Sequence, residues 1–304
     1  MYDIIIIGAG AAGMNAALYA LRNGKSVLLF EGDAIGGQIS NSPKVENFPT
    51  IPAISGSEFA DKFFDQITEH GAEFEYDQVK SVQKTGSFFT VKTDYSTYEA
   101  KSVIAAVGVK HKHIGVPGET SLLGKGIYYC ALCDGPFYKD KEVVLIGDGN
   151  TAMQYAIVLS NICSKVYLLT WMDKFFGDKA LEKVIRNKPN IVHMPNTQTV
   201  AFHGEGGLTA VEYLDKISGE NKLLNITGAF VAIGQVPENE QFAHLAKLDN
   251  AGYFIANEQD MSTSTPGFFV AGDCRAKKMR QLATAISDGA LAAVSACNYI
   301  EKLG

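Results

Sequence analysis

The chain has 304 residues, 30 glycines, an ordinary apolar and charged composition and a formal net charge of −6, which fits two domains of ordinary size with a core each. The acidic balance lacks the basic footprint of a nucleic-acid binder, and no apolar run approaches the ~18–20 residues of a membrane span. A first strand beginning at Asp3 leaves no room for a secretory signal, so the reading is a cytoplasmic protein, in which structural disulfides are uncommon.

Ile4–Ile7 is a continuous apolar strand of the kind covered on both faces in a parallel sheet. It runs into Gly8-Ala-Gly10-Ala-Ala-Gly13, an alanine-rich helix stopped at Gly24, and a second strand ending at Glu31. The glycines allow a tight turn, close approach of a pyrophosphate and close helix–strand packing, and the helix N-terminus offers its unpaired N–H groups to phosphates. Glu31 is placed to accept hydrogen bonds from a ribose. Residues 88–92 and 97–107 then predict a hairpin leading into Ala105–Gly108. Residues 114–119 (IGVPGE) and 234–239 (GQVPEN) read as the two strands of a hinge that brackets a long insertion.

Within the insertion stands Tyr129-Cys-Ala-Leu-Cys-Asp-Gly135. Its CxxC pair is compatible at this point with a metal, a structural disulfide or electron transfer. A second strand–glycine turn–helix–strand unit follows, through Gly147-Asp-Gly149-Asn-Thr-Ala152 to Thr170. Gly8 to Glu31 and Gly147 to Thr170 both span 23 positions. The predicted fold class is therefore α/β, with two Rossmann-like dinucleotide-binding domains, the second inserted into the first. The tail reads as a strand, a loop and a long helix, in which Ala283, Ile286, Ala290 and Val294 recur at helical spacing as core. The scattered Cys163, Cys274 and Cys297 read as buried small residues.

Taken together, GAGAAG, GGQISNSPKVENFP at 36–49, AAVG at 105–108, CALCDG at 130–135, FVAIGQVPEN at 230–239 and AGDCRAKKMRQLATA at 271–285 make a family pattern. Through them the chain resembles the low-molecular-weight thioredoxin reductases over nearly its whole length. The resemblance implies an FAD domain from 1–113 and 243–304, with 114–242 inserted as a pyridine-nucleotide-type domain that carries the cysteine pair. It implies the FAD pyrophosphate at Gly8, Gly10 and Gly13, the adenosine ribose at Glu31, and Gly36, Gly37, Gln38 and Asn47 along the path to the flavin ring. Val79, Ala106 and Gly108 would pass close by backbone, Asp273 would meet the ribityl–phosphate part, and Gln281 and Leu282 the ring.

A zinc site needs about four ligands, and no second CxxC or CxxH pair is present, so the cysteines read as a redox pair. In the family the second cysteine lies against the flavin and the first meets the protein substrate, which assigns Cys133 and Cys130 to those roles. Asp134 would be the general acid, its pKa raised by burial. A thioredoxin-like protein substrate and a homodimer are implied by the same resemblance.

The chain departs from the family in its second nucleotide site, for which Gly147, Gly149, Asn150, Thr151 and Lys174 are the candidate contacts. Relatives that use NADPH carry two adjacent arginines after the second strand of the inserted domain and another a few residues on. Here Trp171, Met172 and Phe176 stand at those places, and a 2′-phosphate is normally gripped by guanidinium groups. NADH is not favoured either, since Thr170 offers the ribose no carboxylate. Asp148 adds a charge that costs a pyrophosphate about 3 kcal/mol at ~5 Å. Ferredoxin is the alternative electron donor, with Lys110, His111, Lys112, His113, Arg275, Lys277 and Lys278 as an expected basic docking surface. Two other functions are compatible with the fold: an FAD-dependent dithiol oxidase, and a non-catalytic redox sensor.

Overall fold

The four isoleucines of β1 (Tyr2–Ile7) are β-branched and apolar on both faces, so the strand is stable only with cover on each side. The structure, a computed structural model, describes residues 1–303. In it Ile4 and Ile6 enter one apolar core and Ile5 and Ile7 another, all at most 6 % exposed. The chain continues through α1 (Ala11–Arg22), β2 (Val27–Glu31), α2 (Gly56–Glu69), β3 (Glu73–Tyr76), β4 (Val79–Thr85), β5 (Phe88–Thr93) and β6 (Thr97–Ala105). These strands form a sheet in the order β3-β2-β1-β6-β5-β4, with β1 parallel to both β2 and β6.

The inserted segment comprises β7 (Lys110–His111), β8 (Ile127–Tyr128), α3 (Ala131–Asp134), β9 (Glu142–Ile146), α4 (Asn150–Ser160), β10 (Lys165–Leu169) and α5 (Lys179–Arg186). It goes on through β11 (Ile191–Met194), β12 (Thr197–His203), β13 (Ala210–Asp215), β14 (Glu220–Asn225), β15 (Ala229–Val231) and β16 (Gln235–Val236). Its parallel sheet runs β11-β10-β9-β15-β8, and β12-β13-β14 form a separate antiparallel sheet. The chain then closes the first sheet with β17 (Phe268–Val270), parallel to the C-terminal half of β6, and ends in α6 (Leu282–Glu301). Small residues bring α6 onto α1: a Cβ on Gly289 would stand 2.2 Å from the Ala12 carbonyl oxygen, and Asn15 Nδ2 donates to the Ile286 carbonyl at 2.8 Å.

Two compact units result, Met1–Lys110 with Val236–Gly304, and His111–Gln235. The division falls at 110/111 and 235/236 rather than at 113/114 and 242/243. Residues 236–242 go with the first unit because Phe242 is fully buried, its ring 6.1 Å from those of Phe254 and Phe268. The expected hinge strands are also displaced. Where the chain passes between units the paired strands are β7 and β16, while IGVPGE forms a turn. Its cause is Glu119, 2 % exposed, whose carboxylate folds back to accept the Ile114 and Gly115 N–H groups at 3.1 and 2.8 Å.

Candidate active site

Cys130 takes an extended conformation and caps the short helix α3, its Sγ accepting the Cys133 N–H at 3.2 Å. The two cysteines form a disulfide, with Cα atoms 5.3 Å apart. Once this bond opens, an N–H aimed at Cys130 Sγ favours its thiolate over the thiol. Asp134 follows at the end of α3, 6 % exposed, and its Oδ1 has no hydrogen-bond partner. Burial alone lifts its carboxyl from 3.8 to about 7, so it carries a proton over much of the neutral range. Such a group can protonate a leaving thiolate.

Immediately before the pair, Tyr129 is held by residues that sequence reasoning did not single out as a cluster. Its hydroxyl donates to Glu119 Oε1 at 2.9 Å and lies 2.7 Å from His113 Nδ1. Having one proton to give, it must accept from His113, which places the imidazole proton on Nδ1. The His111 ring stacks on the phenol at 4.7 Å, and burial, then the His113 charge, pushes His111 down to about 4.

In the first unit, the glycine turn has the shape a pyrophosphate requires. A Cβ on Gly8 would come within 2.5 Å of the Ala106 carbonyl oxygen, and one on Gly13 within 1.8 Å of the Gly8 oxygen. At Gly10 the nearest atom is 3.9 Å away, and no side chain caps the N-terminus of α1, leaving a cradle of N–H groups. Gly36 (φ 91°) donates to the Ala9 carbonyl at 2.8 Å, and Gly37 (φ 57°) follows it. Glu31 lies at the end of β2, its carboxylate already accepting the N–H groups of Ala9, Gly32 and Asp33 at 2.8–2.9 Å; a carboxylate has about four acceptor sites, so one is left for a ribose hydroxyl.

The remaining candidates come from distant parts of the chain. Gln38 Nε2 donates to the Val109 carbonyl at 3.1 Å, beyond Ala106 and Gly108, and Val79 begins β4, buried. Asn47 Nδ2 donates to Gln281 Oε1 at 3.3 Å across 234 positions of sequence, with Gln281 capping α6 and Leu282 opening it. Asp273 Oδ1 is buried, 2.9 Å from Lys277 Nζ yet without hydrogen-bond geometry to any partner. An uncapped N–H cradle and an unsatisfied carboxylate oxygen fit the phosphate and hydroxyl groups of FAD.

Three cations of the expected basic surface are ion-paired. Arg275 grips Asp288 with two bonds of 2.9 Å, and Lys277, 6 % exposed at its side chain, reaches both Asp288 (3.1 Å) and Asp273. Lys110 pairs with Glu238 at 3.0 Å. Asp288, 3 % exposed, was hidden in the sequence among the alanines of α6 and draws Arg275 and Lys277 inward.

The glycine turn of the second unit repeats the first bond for bond. Gly147 N–H donates to the Leu169 carbonyl as Gly8 does to that of Phe30, and Ala232 N–H to that of Ile146 as Ala106 does to that of Ile7. Gly149 has open space about it and α4 has no side-chain cap. The returning segment differs: Phe176 donates to the Asp148 carbonyl at 2.8 Å, where the first unit uses Gly36. Asn150 Oδ1 accepts the Asp178 N–H at 2.8 Å, and Thr151 is exposed beside it. Thr170, fully buried, bonds the Met172 carbonyl and His193. Trp171, Met172 and Phe176 are exposed at 51 %, 37 % and 54 %. Lys174 lies over the Phe176 ring, and Lys216, an unforeseen second cation, over that of Trp171 at 4.1 Å.

Two dinucleotide turns and a disulfide followed by a buried acid define an oxidoreductase that works on disulfides. The family model for pyridine nucleotide-disulphide oxidoreductases matches residues 2–289. The thioredoxin reductase of Treponema pallidum is 40 % identical over 99 % of this chain and 98 % of its own, and that of Bacillus subtilis 38 % over 100 % and 96 %. The crystal structure of thioredoxin reductase from Streptococcus pyogenes superposes with a TM-score of 0.95 at 34 % identity, over 99 % of each chain. The chain belongs to the low-molecular-weight thioredoxin reductase family of flavoprotein disulfide reductases. That family implies FAD and a nicotinamide nucleotide as cofactors. Among the described residues no helix is long and apolar enough to cross a membrane.

Proposed function

We propose that the protein reduces the disulfide of thioredoxin or a similar small dithiol protein through Cys130 and Cys133, with FAD held by the discontinuous unit. The observation that carries this reading is the disulfide followed by a buried, unpartnered Asp134. FAD when bound would supply the two-electron carrier, held by the N–H cradle at Gly10–Gly13, by Glu31, by the Asn47–Gln281 pair and by Asp273. Cys130, its thiolate favoured by the Cys133 N–H, attacks the substrate disulfide and forms a mixed disulfide, expelling one substrate thiolate. Cys133 then attacks Cys130 Sγ, closing the Cys130–Cys133 bond and releasing the second thiolate. The two protons of the dithiol pass to the two substrate sulfurs, one of them through Asp134.

The electron donor is part of the proposal. NADPH is a poor reductant here, because Trp171, Met172 and Phe176 replace the phosphate grip while Lys174 and Lys216 are placed over aromatic rings. Reduced ferredoxin is the alternative donor. Its case rests on the altered nucleotide site, since Arg275 and Lys277 are ion-paired. Anaerobic reduction of the flavin by NADPH, NADH and reduced ferredoxin in turn, followed by turnover with oxidised thioredoxin, tests the reading. Turnover of the protein disulfide with one of these donors is the expected result. Absence of turnover with all three, with rapid reoxidation in air after dithiol addition, would identify a dithiol oxidase instead.

A further inference from the structure

Charged side chains are almost never buried unless they are paired, and the first unit encloses a group of them beside its pyrophosphate cradle. Asp288 on α6 accepts two bonds from Arg275, one from Lys277 Nζ at 3.1 Å and one from the Gly272 N–H at 3.2 Å. Gly272 and Gly289, the residue after Asp288, both close on Ala12 in the first turn of α1. A Cβ on Gly272 would stand 2.8 Å from the Ala12 Cβ, and one on Gly289 2.2 Å from the Ala12 carbonyl oxygen. The ion group is thus fixed against the helix end that carries the N–H cradle.

Asp288 does not use up the charge of Lys277. The Nζ, anchored to α6 by Asp288 and by the Thr284 hydroxyl at 3.4 Å, also stands 2.9 Å from Asp273 Oδ1. Two other cations nearby are committed elsewhere. Arg275 serves Asp288 and the Ala276 carbonyl, and Arg280 donates to the backbone carbonyls of Asp273 and Arg275. Among the described residues, Lys277 alone pairs with the Asp273 carboxylate. That contact lacks hydrogen-bond geometry, so the cation lies beside the oxygen while a lone pair stays available to another donor.

We propose that Lys277 is a positioning residue for FAD. Held in place by Asp288, it offsets the Asp273 charge where an anionic cofactor binds and leaves that carboxylate able to accept a cofactor hydroxyl. This rests on the reading of Asp273 as the contact to the ribityl–phosphate part. A lone carboxylate beside a phosphate opposes binding by like-charge repulsion, which a cation in contact with it cancels. Asp273 and Asp288 balance Arg275 and Lys277 in charge, and loss of Lys277 leaves one negative charge in excess.

Release of FAD from the diluted holoenzyme, read as the rise in flavin fluorescence, tests this without turnover. Lys277→Gln removes the charge and keeps a polar side chain, and should quicken release about tenfold or more. Lys277→Gln combined with Asp273→Asn removes both charges, keeps an acceptor at 273, and should return release toward the wild-type rate. A lysine that only supports the local fold gives no such rescue, and its absence would overturn the proposal. Asp273→Ala alone should also quicken release. If it does not, Asp273 does not meet the cofactor, and that reading and the role of Lys277 fall together. Quicker release from Asp273→Ala beside a wild-type rate in Lys277→Gln would keep the Asp273 contact and remove the lysine's part. Circular dichroism before dilution establishes that each variant is folded, and Lys277→Met makes the same comparison if Lys277→Gln is not.

Discussion

Cys130 and Cys133 are three residues apart but in different surroundings, since only Cys130 Sγ receives a helix N–H. If Cys133 is the thiol against the flavin, Cys130→Ser leaves a thiolate there and produces a long-wavelength absorbance band, whereas Cys133→Ser does not. Both variants should lose disulfide turnover, and the opposite spectra would exchange the two roles. Asp134 yields a second prediction. Its carboxyl is raised from 3.8 to about 7 in the folded protein, so the native state binds more protons than the unfolded chain between those values. Stability is then full below about pH 4 and is lost as pH rises through 7, by an upper bound of about 4 kcal/mol. Asp134→Asn should therefore raise the thermal midpoint at pH 8 and leave it unchanged at pH 4, while slowing turnover about a hundredfold. An equal midpoint for both proteins at pH 8 would show that the carboxyl is solvated. The disulfide and the buried carboxyl beside it were legible in the sequence because they sit side by side in one short motif. Asp288 was not, because a lone acid in an alanine-rich helix carries no sign of the cations that will reach it from residues 275 and 277.

At the scale of elements, the two glycine turns were legible down to their spacing, since each turn must reproduce the same close approaches: Gly8 to Ala106 and Gly147 to Ala232. The crossing between units was not. IGVPGE has the glycine and proline content of a hinge, yet Glu119 turns it into a loop tied to Tyr129, 10 positions on. Whether a glutamate faces water or its own backbone depends on burial, which periodicity does not report. The clamp can be measured. Glu119→Ala leaves two backbone N–H groups and a phenol without their acceptor and should cost about 2–4 kcal/mol. Tyr129→Phe keeps the His111 stack, loses only the hydroxyl bonds, and should cost about 1 kcal/mol. Chemical denaturation of the two variants decides this; equal losses would mean that the ring, not the carboxylate, holds the turn.

For the whole molecule the open matter is where electrons enter. An acidic protein with a net charge of −6 meets an acidic donor at a disadvantage unless cations are gathered at one place, and the cluster around Asp288 removes two of the cations expected to do so. The nucleotide site is altered in a different way: its phosphate cradle at Gly149 is intact, but the residues beyond β10 that would recognise a 2′-phosphate are exposed aromatic and thioether groups. On the proposed reading, losing two or three charge-assisted contacts of about 1.5–3 kcal/mol each should weaken NADPH by several powers of ten. Lys174 and Lys216 offset part of this, as point charges without the bidentate geometry of a guanidinium. The double variant Trp171→Arg, Met172→Arg restores two such groups on an unchanged cradle. It should raise kcat/KM for NADPH in anaerobic flavin reduction by at least about tenfold, with little change for NADH, which lacks the phosphate. The gain should shrink as salt screens the new charges. A parent protein that already shows a micromolar KM for NADPH, or a double variant no better than its parent, would mean that the two lysines are sufficient and that the nucleotide is the natural donor.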